Sequence, residues 1–169
     1  NGLIQVLNTV LLPLVHTNLS EAIASDNNLT YLNVALQRAG MKNMLADASN
    51  AYTIFAPNNA AFIAAGYADI NAINTADPVV LRRILEYTLF SGRKFIYDYI
   101  LTTDATDKSE QKMYTGSNIA ISLVKSGVNY TGITIKGIGN PGTGTIVKPN
   151  VLAGNGVLHI TSLVLKENL

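Results

Sequence analysis

The spacing of apolar residues changes halfway along this chain, and that change limits the folds open to it. Up to Leu89 the apolar face recurs every three or four positions, first at Leu29, Leu32, Leu36 and Ala39, then at Val80-Leu81, Ile84-Leu85 and Thr88-Leu89. That is the period of one helix side. From Ile119 onward the pattern alternates, as Ile119, Ile121 and Leu123, then Ile133 and Ile135, then Ile146 through Val151, and finally Val157 to Leu165. Such runs, separated by Gly116, Gly127, Gly132, Gly137 and Gly154, read as short strands joined by turns. Helices followed by strands predict an α+β domain, its helix-rich first half packed on an antiparallel, β-rich second half.

Local signals place two helices. Asn28 is predicted to cap a helix that Gly40 ends. Asp77-Pro78 is the stronger start, an N-cap followed by proline at the first helical position. Arg82, Arg83 and Glu86 fall opposite its apolar side, so this helix is predicted to pack well into a core rather than lie on a membrane.

A chain of 169 residues can bury one full core but not two. Only 14% of it is charged, so Asn, Thr, Ser and Gly must cover much of the surface. The net charge of +1 offers no general attraction for nucleic acid or anionic lipid. Arg82-Arg83 with Arg93-Lys94 is the nearest approach to a basic cluster, and it lacks interleaved aromatics. The absence of cysteine rules out disulfides, thiolate metal sites and cysteine nucleophiles. The most apolar run, Val10 to Val15, is interrupted by Pro13 and falls far short of the ~18 residues of a membrane span. Any secretion or lipid-anchor signal is expected upstream of Asn1.

Candidate chemistry is sparse. Gly137-Ile138-Gly139-Asn140-Pro141-Gly142 fits G-x-G-x-x-G, but Thr143 and Thr145 lead into a strand where a dinucleotide site needs a helix, so a hairpin loop is predicted. His16 and His159 lack partners at metal-ligand spacing, and His159 sits in an apolar strand that suits a structural histidine. Asp104, Asp107 and Glu110 lack the ligand alternation and central glycine of a calcium loop. Asn18, Asn28 and Asn129 begin glycan acceptor triplets, and no role is assigned to them. No catalytic residue, metal ligand or cofactor is expected, and the chain reads as a non-enzyme.

The two ends of the chain are alike. Asn1-Gly2-Leu3-Ile4-Gln5-Val6 matches Asn155-Gly156-Val157-Leu158-His159-Ile160 in pattern, about one domain length apart. Residues 1–13 are therefore read as the C-terminal strand of a preceding repeat, and residues 14–169 as the domain proper. A severed edge strand carries unpaired amides, so residues 1–13 are expected to dock on this domain or on a neighbouring chain.

Thr53 to Ala56 reads as a short buried strand that Pro57 stops, after which Asn58 caps a helix carrying Phe62 back to the core. The segment Thr53-Ile54-Phe55-Ala56-Pro57-Asn58, with Ala61-Phe62 beyond, resembles the first signature of fasciclin-like domains, Asn58 standing where threonine is usual. Asn155-Gly156, two aliphatics and His159 resemble the second signature, and residues 1–13 resemble it again, closing on Leu11-Leu12-Pro13. Leu85-Glu86-Tyr87-Thr88-Leu89 is similar to the family's central helix end, where Thr88 replaces the usual histidine. The resemblance covers about Leu14 to Leu165 and implies an extracellular or cell-surface adhesion module from a tandem array. Its implied partners are a polysaccharide or a matrix or surface protein, and a neighbouring repeat. The alternative is a spacer without a ligand of its own. The likeness makes Tyr87 and Thr88 a candidate adhesion surface, although the Thr88 substitution counts against the family's integrin-linked activity and the helix pattern favours Tyr87 as a core aromatic. Thr53, Phe55, Pro57, Asn58, Phe62, Asn155, Gly156 and His159 are implied to be mainly structural.

Overall fold

The computed structural model describes residues 16–168. The reading of residues 1–13 as a foreign strand, and of their docking, therefore lies outside the described residues.

The helical half begins with α1 (Leu19–Ser25), capped by the Asn18 side chain, which accepts the Glu21 amide. A 3-10 turn, Asn27–Leu29, leads into α2 (Thr30–Arg38). Its cap is Asp26, whose carboxylate accepts the Asn28 amide, so Asn28 receives a cap where it was expected to provide one. Gly40 ends α2 as expected, at φ +69°. The Met41 amide reaches Leu36 O and the Gly40 amide Gln37 O, the paired closure that a left-handed residue permits. Next come α3 (Lys42–Ala46), strand β1 (Tyr52–Pro57), α4 (Asn59–Ala64), α5 (Ile70–Thr75) and α6 (Pro78–Glu86). Asp77 caps α6 with Pro78 at the first helical position, as the sequence predicts. Burial along α6 is only partial: Leu81 and Leu85 are buried, whereas Val79 is 73% exposed and Val80 47%.

Short strand β2 (Leu89–Ser91) and α7 (Ile96–Leu101) precede the strand-rich half, β3 (Lys108–Lys112), β4 (Asn118–Ser126), β5 (Asn129–Gly137), β6 (Gly144–Ala153) and β7 (Gly156–Thr161). All seven strands form one sheet in the order β2-β1-β7-β6-β5-β4-β3. Every neighbouring pair is antiparallel except β1 and β7, which run parallel, so the sheet is mixed. That single parallel pairing sets Thr53 beside Val157, Phe55 beside His159 and Pro57 beside Thr161, bringing the two signature segments onto adjacent strands.

All six positions of β1 and all six of β7 are buried, because the sheet is covered on both faces there. Ile54, Ala56, Leu158 and Ile160 enter a core under α1 to α6 with Leu32, Leu36 and Phe62. Phe55 turns to the other face, where Tyr87, Tyr99, Ile119, Ile121, Ile133 and Ile135 form a second core with α7. Each fully buried aliphatic or aromatic side chain of this kind contributes roughly 1.5–3 kcal/mol of transfer free energy.

Candidate functional site

The signature residues work as joints between elements. Thr53 Oγ1 donates to Gly92 O at 2.8 Å and accepts the Lys94 amide at 2.9 Å, holding the chain after β2 against β1. Pro57 closes β1, and the next side chain, Asn58, accepts the Ala61 amide at 2.8 Å to start α4, which places Phe62 in the core. Asn155, buried ahead of β7, uses its amide in full. Its Oδ1 accepts the Leu19 amide at 2.8 Å, while Nδ2 donates to Leu45 O and Asp47 O at 2.9 Å each. One side chain thereby ties α1 and the end of α3 to the last strand. Gly156 follows because a Cβ there would collide with Tyr52 O and with the Leu19 side chain.

His159 is fully buried against Phe55 and Tyr99, with ring centroids 5.6 and 6.3 Å away. Its Nδ1 accepts the Asn150 amide at 3.2 Å, which leaves Nε2 to donate to Lys94 O at 3.0 Å. Burial drives its pKa down to about 4, outweighing the upward pull of the Lys94 carbonyl. A neutral imidazole with both nitrogens engaged inside the core is a structural joint and not a base offered to a substrate.

Tyr87 and Thr88, expected to offer an adhesion surface, are both buried, at 1% and 0% exposure. The Tyr87 hydroxyl donates to Asn118 O at 2.6 Å and accepts the Ile138 amide at 3.2 Å, joining the end of α6 to the sheet. Thr88 Oγ1 donates to Leu85 O at 2.6 Å. Both side chains face inward because α6 ends at Glu86 and the chain turns immediately into β2. A partner meeting this region would touch their neighbours instead.

Among the described residues, the exposed apolar side chains include two groupings on or beside helices. The first is a groove of about 400 Å³ beside α6, walled by Ala65, Tyr67, Val79, Val80, Ile84 and Val164, and also lined by Tyr87, Arg83, Lys166 and Glu167. Arg83 Nε donates to Glu167 Oε2 at 3.0 Å. Burial would raise the Glu167 carboxyl, but hydrogen bonds from Ser117 and Arg83 hold it below its ordinary value. The C-terminal segment that forms one wall is clamped by buried Asn140, whose Nδ2 donates to Val164 O at 3.0 Å and whose Oδ1 accepts the Lys166 amide at 2.8 Å. The second feature is α7, where Tyr97 and Leu101, one turn apart, are 65% and 68% exposed beside partly exposed Phe95. Consecutive Val79-Val80 at a helix start was the readable trace of the groove, while its opposite wall comes from residues about 85 positions later in the chain and left none.

The remaining sequence candidates resolve plainly. The glycine-rich segment joins β5 to β6 as a loop, with no helix after it. Asp104 is spent on its own turn, accepting the Thr106 and Lys108 amides and the Thr106 hydroxyl. Among the described residues no group of three His, Cys, Asp or Glu is placed to hold a metal ion, and no helix is long and apolar enough to cross a membrane. The basic residues are dispersed: Arg82 pairs with Glu86, Arg83 with Glu167, Arg93 donates to Gly154 O and Lys94 to Gln111 Oε1.

Comparison with known proteins adds the following. The family model for the Fasciclin domain matches residues 27–167. No curated protein matches the chain. Among solved structures, a FAS1 domain pair from the insect cell adhesion molecule fasciclin I, reported as a novel fold, superposes with a TM-score of 0.72 at 16% identity. The match covers 89% of this chain and 51% of that one, so this chain spans about half the length of the pair, and at that identity the likeness is one of fold.

Proposed function

This chain belongs to the fasciclin domain family, and from that premise we propose that it is a non-catalytic adhesion module of a cell surface or extracellular matrix, carried in a tandem array as residues 14–169 after the end of another repeat. The observation that carries the reading to a surface is the exposed side of α7, where Tyr97 and Leu101 stand out beside Phe95. Tyrosine combines a large rigid contact area with a polar tip, and such residues concentrate binding energy at protein interfaces and stack on sugar faces. Tyr87 supports this surface from beneath, packed in the second core with Ile96 and Tyr99 of α7, while Thr88 stays with the end of α6 through its bond to Leu85 O. His159, sealed in the core, supports binding without catalysis.

Partners are a matrix or surface protein or an extracellular polysaccharide, and a bead assay separates these from a spacer role. Beads carrying the chain are mixed with beads coated with extracellular protein or with polysaccharide from the same source, for the wild type and for a Tyr97→Ala, Leu101→Ser double variant. Aggregation with one coating, reduced about tenfold in the variant, is the expected result, since loss of interface anchors of this kind costs about 1–2 kcal/mol or more. A wild type that aggregates with neither coating would establish the spacer role in place of adhesion.

A further inference from the structure

The groove beside α6 is a second feature that adhesion through α7 leaves unused. We propose that it is a binding site for a linear aliphatic monocarboxylate, a free fatty acid of medium chain length.

Size, polarity and charge each narrow the occupant. At about 400 Å³ the groove lies within the roughly 300–1,000 Å³ of small-molecule sites. Its walls are Ala65, Tyr67, Val80, Ile84 and Val164, and the Tyr87 hydroxyl is already satisfied by Asn118 O and the Ile138 amide. A sugar or a peptide main chain laid along these walls would lose water from many polar groups and find few partners beyond the Tyr67 hydroxyl, at a cost of about 1–3 kcal/mol for each polar group left unpaired. An alkyl chain carries no such groups, and burying it is favourable by about 0.8 kcal/mol per methylene.

The charges at the rim then choose the head group. Arg83 and Glu167 neutralise one another at 3.0 Å. Lys166 also lines the groove, is exposed, and makes no ion pair among the described residues. The rim thus has one positive charge left over, which complements a single carboxylate and disfavours an ammonium head. The C-terminal segment bearing Lys166 is held by Asn140 through the Val164 carbonyl and the Lys166 backbone amide, so the wall and the backbone that carries the cation are set before a ligand arrives.

The test uses the full chain and dodecanoate at concentrations below its micelle threshold, with dodecylamine and dodecanol as head-group controls, read by titration calorimetry. Saturable one-site binding of dodecanoate is expected, with dodecylamine about fivefold weaker, as partly exposed ion pairs allow. Lys166→Glu is expected to reverse that order, and Val80→Asp, at a half-exposed position that tolerates charge, to abolish binding of all three with the fold unchanged by circular dichroism. Equal affinity for the anionic and cationic heads, binding untouched by Val80→Asp, or no saturable binding would each overturn the proposal. None of these outcomes bears on adhesion, which the α7 double variant tests separately.

Discussion

At the scale of single residues, His159 links the fold to pH. Its folded-state pKa near 4 lies below the ordinary value of 6.5, so between these limits the unfolded chain takes up a proton that the native chain refuses. Stability from this residue is therefore complete above about pH 6.5 and is lost as pH falls toward 4, to a total of about 3 kcal/mol at order of magnitude. The carboxylates of Asp26, Asp47 and Asp104, lowered chiefly by backbone or side-chain hydrogen bonds, lose their contribution only under more acid conditions. Urea titrations at pH 7 and pH 5 are thus expected to show wild-type stability falling by about 2 kcal/mol, and a His159→Gln variant responding much less. Equal wild-type stability at the two pH values would contradict a buried neutral imidazole. The strand and the apolar setting of His159 were legible in the sequence. Its partners were not, because Lys94 is 65 residues away and meets the ring only through the fold.

At the scale of elements, legibility follows how much of the cause is local. The end of helix α6 was not readable: the helical period continues to Thr88-Leu89, whereas the helix stops at Glu86 and Leu89 is drawn into β2 by pairing with β1. Its start was readable because proline geometry and an Asx cap are properties of adjacent residues. Strand β1 and the cap of α4 were readable for the same reason, with Pro57 and Asn58 side by side. Helix α7 was not, since Ile-Tyr-Asp-Tyr-Ile-Leu is rich in residues that suit a strand equally, and the helix is selected by packing of Ile96 and Tyr99 into the second core. Strand β3, Lys-Ser-Glu-Gln-Lys, has no apolar alternation and exists because it pairs with β4 at the sheet edge, where charges discourage further pairing. The α6 groove shows the same limit: the apolar side of the helix was legible, but only the fold decides that Val79 and Val80 stay uncovered. Where the cause is local, a local change has a local cost. Asp77→Ala removes the side chain that accepts the Val79 amide at 2.8 Å and is expected to destabilise the protein by about 0.5–2 kcal/mol, readable in thermal or urea unfolding. An unchanged midpoint would mean that α6 is fixed by its buried face alone.

At the scale of the whole molecule, the parallel pairing of β1 with β7 decides how the protein should unfold. No sequence signal marks it, because a parallel neighbour is chosen by connections that span the chain. Its consequence is that the two cores share a wall. Ile54 and Leu158 belong to the helical core, Phe55 on the same strand belongs to the other, and Asn155 anchors the shared pair to α1 and α3. Neither core can be exposed while β1 and β7 stay paired and covered, so local loosening of one half should carry the other with it. A Leu32→Ala change in the helical core and an Ile121→Ala change in the second, both at fully buried sites, are each expected to cost about 2–5 kcal/mol. In each variant far-ultraviolet dichroism, which follows the helices, and tyrosine fluorescence, read in a background where Tyr31, Tyr52 and Tyr67 of the helical core are replaced by phenylalanine so that the buried signal comes from Tyr87 and Tyr99 in the second core, should give one coincident urea transition with an unchanged slope. Two separated transitions, with Leu32→Ala shifting only the helical signal and Ile121→Ala only the other, would show instead that the sheet divides at β7 and that the halves are held together by less than the shared strands imply.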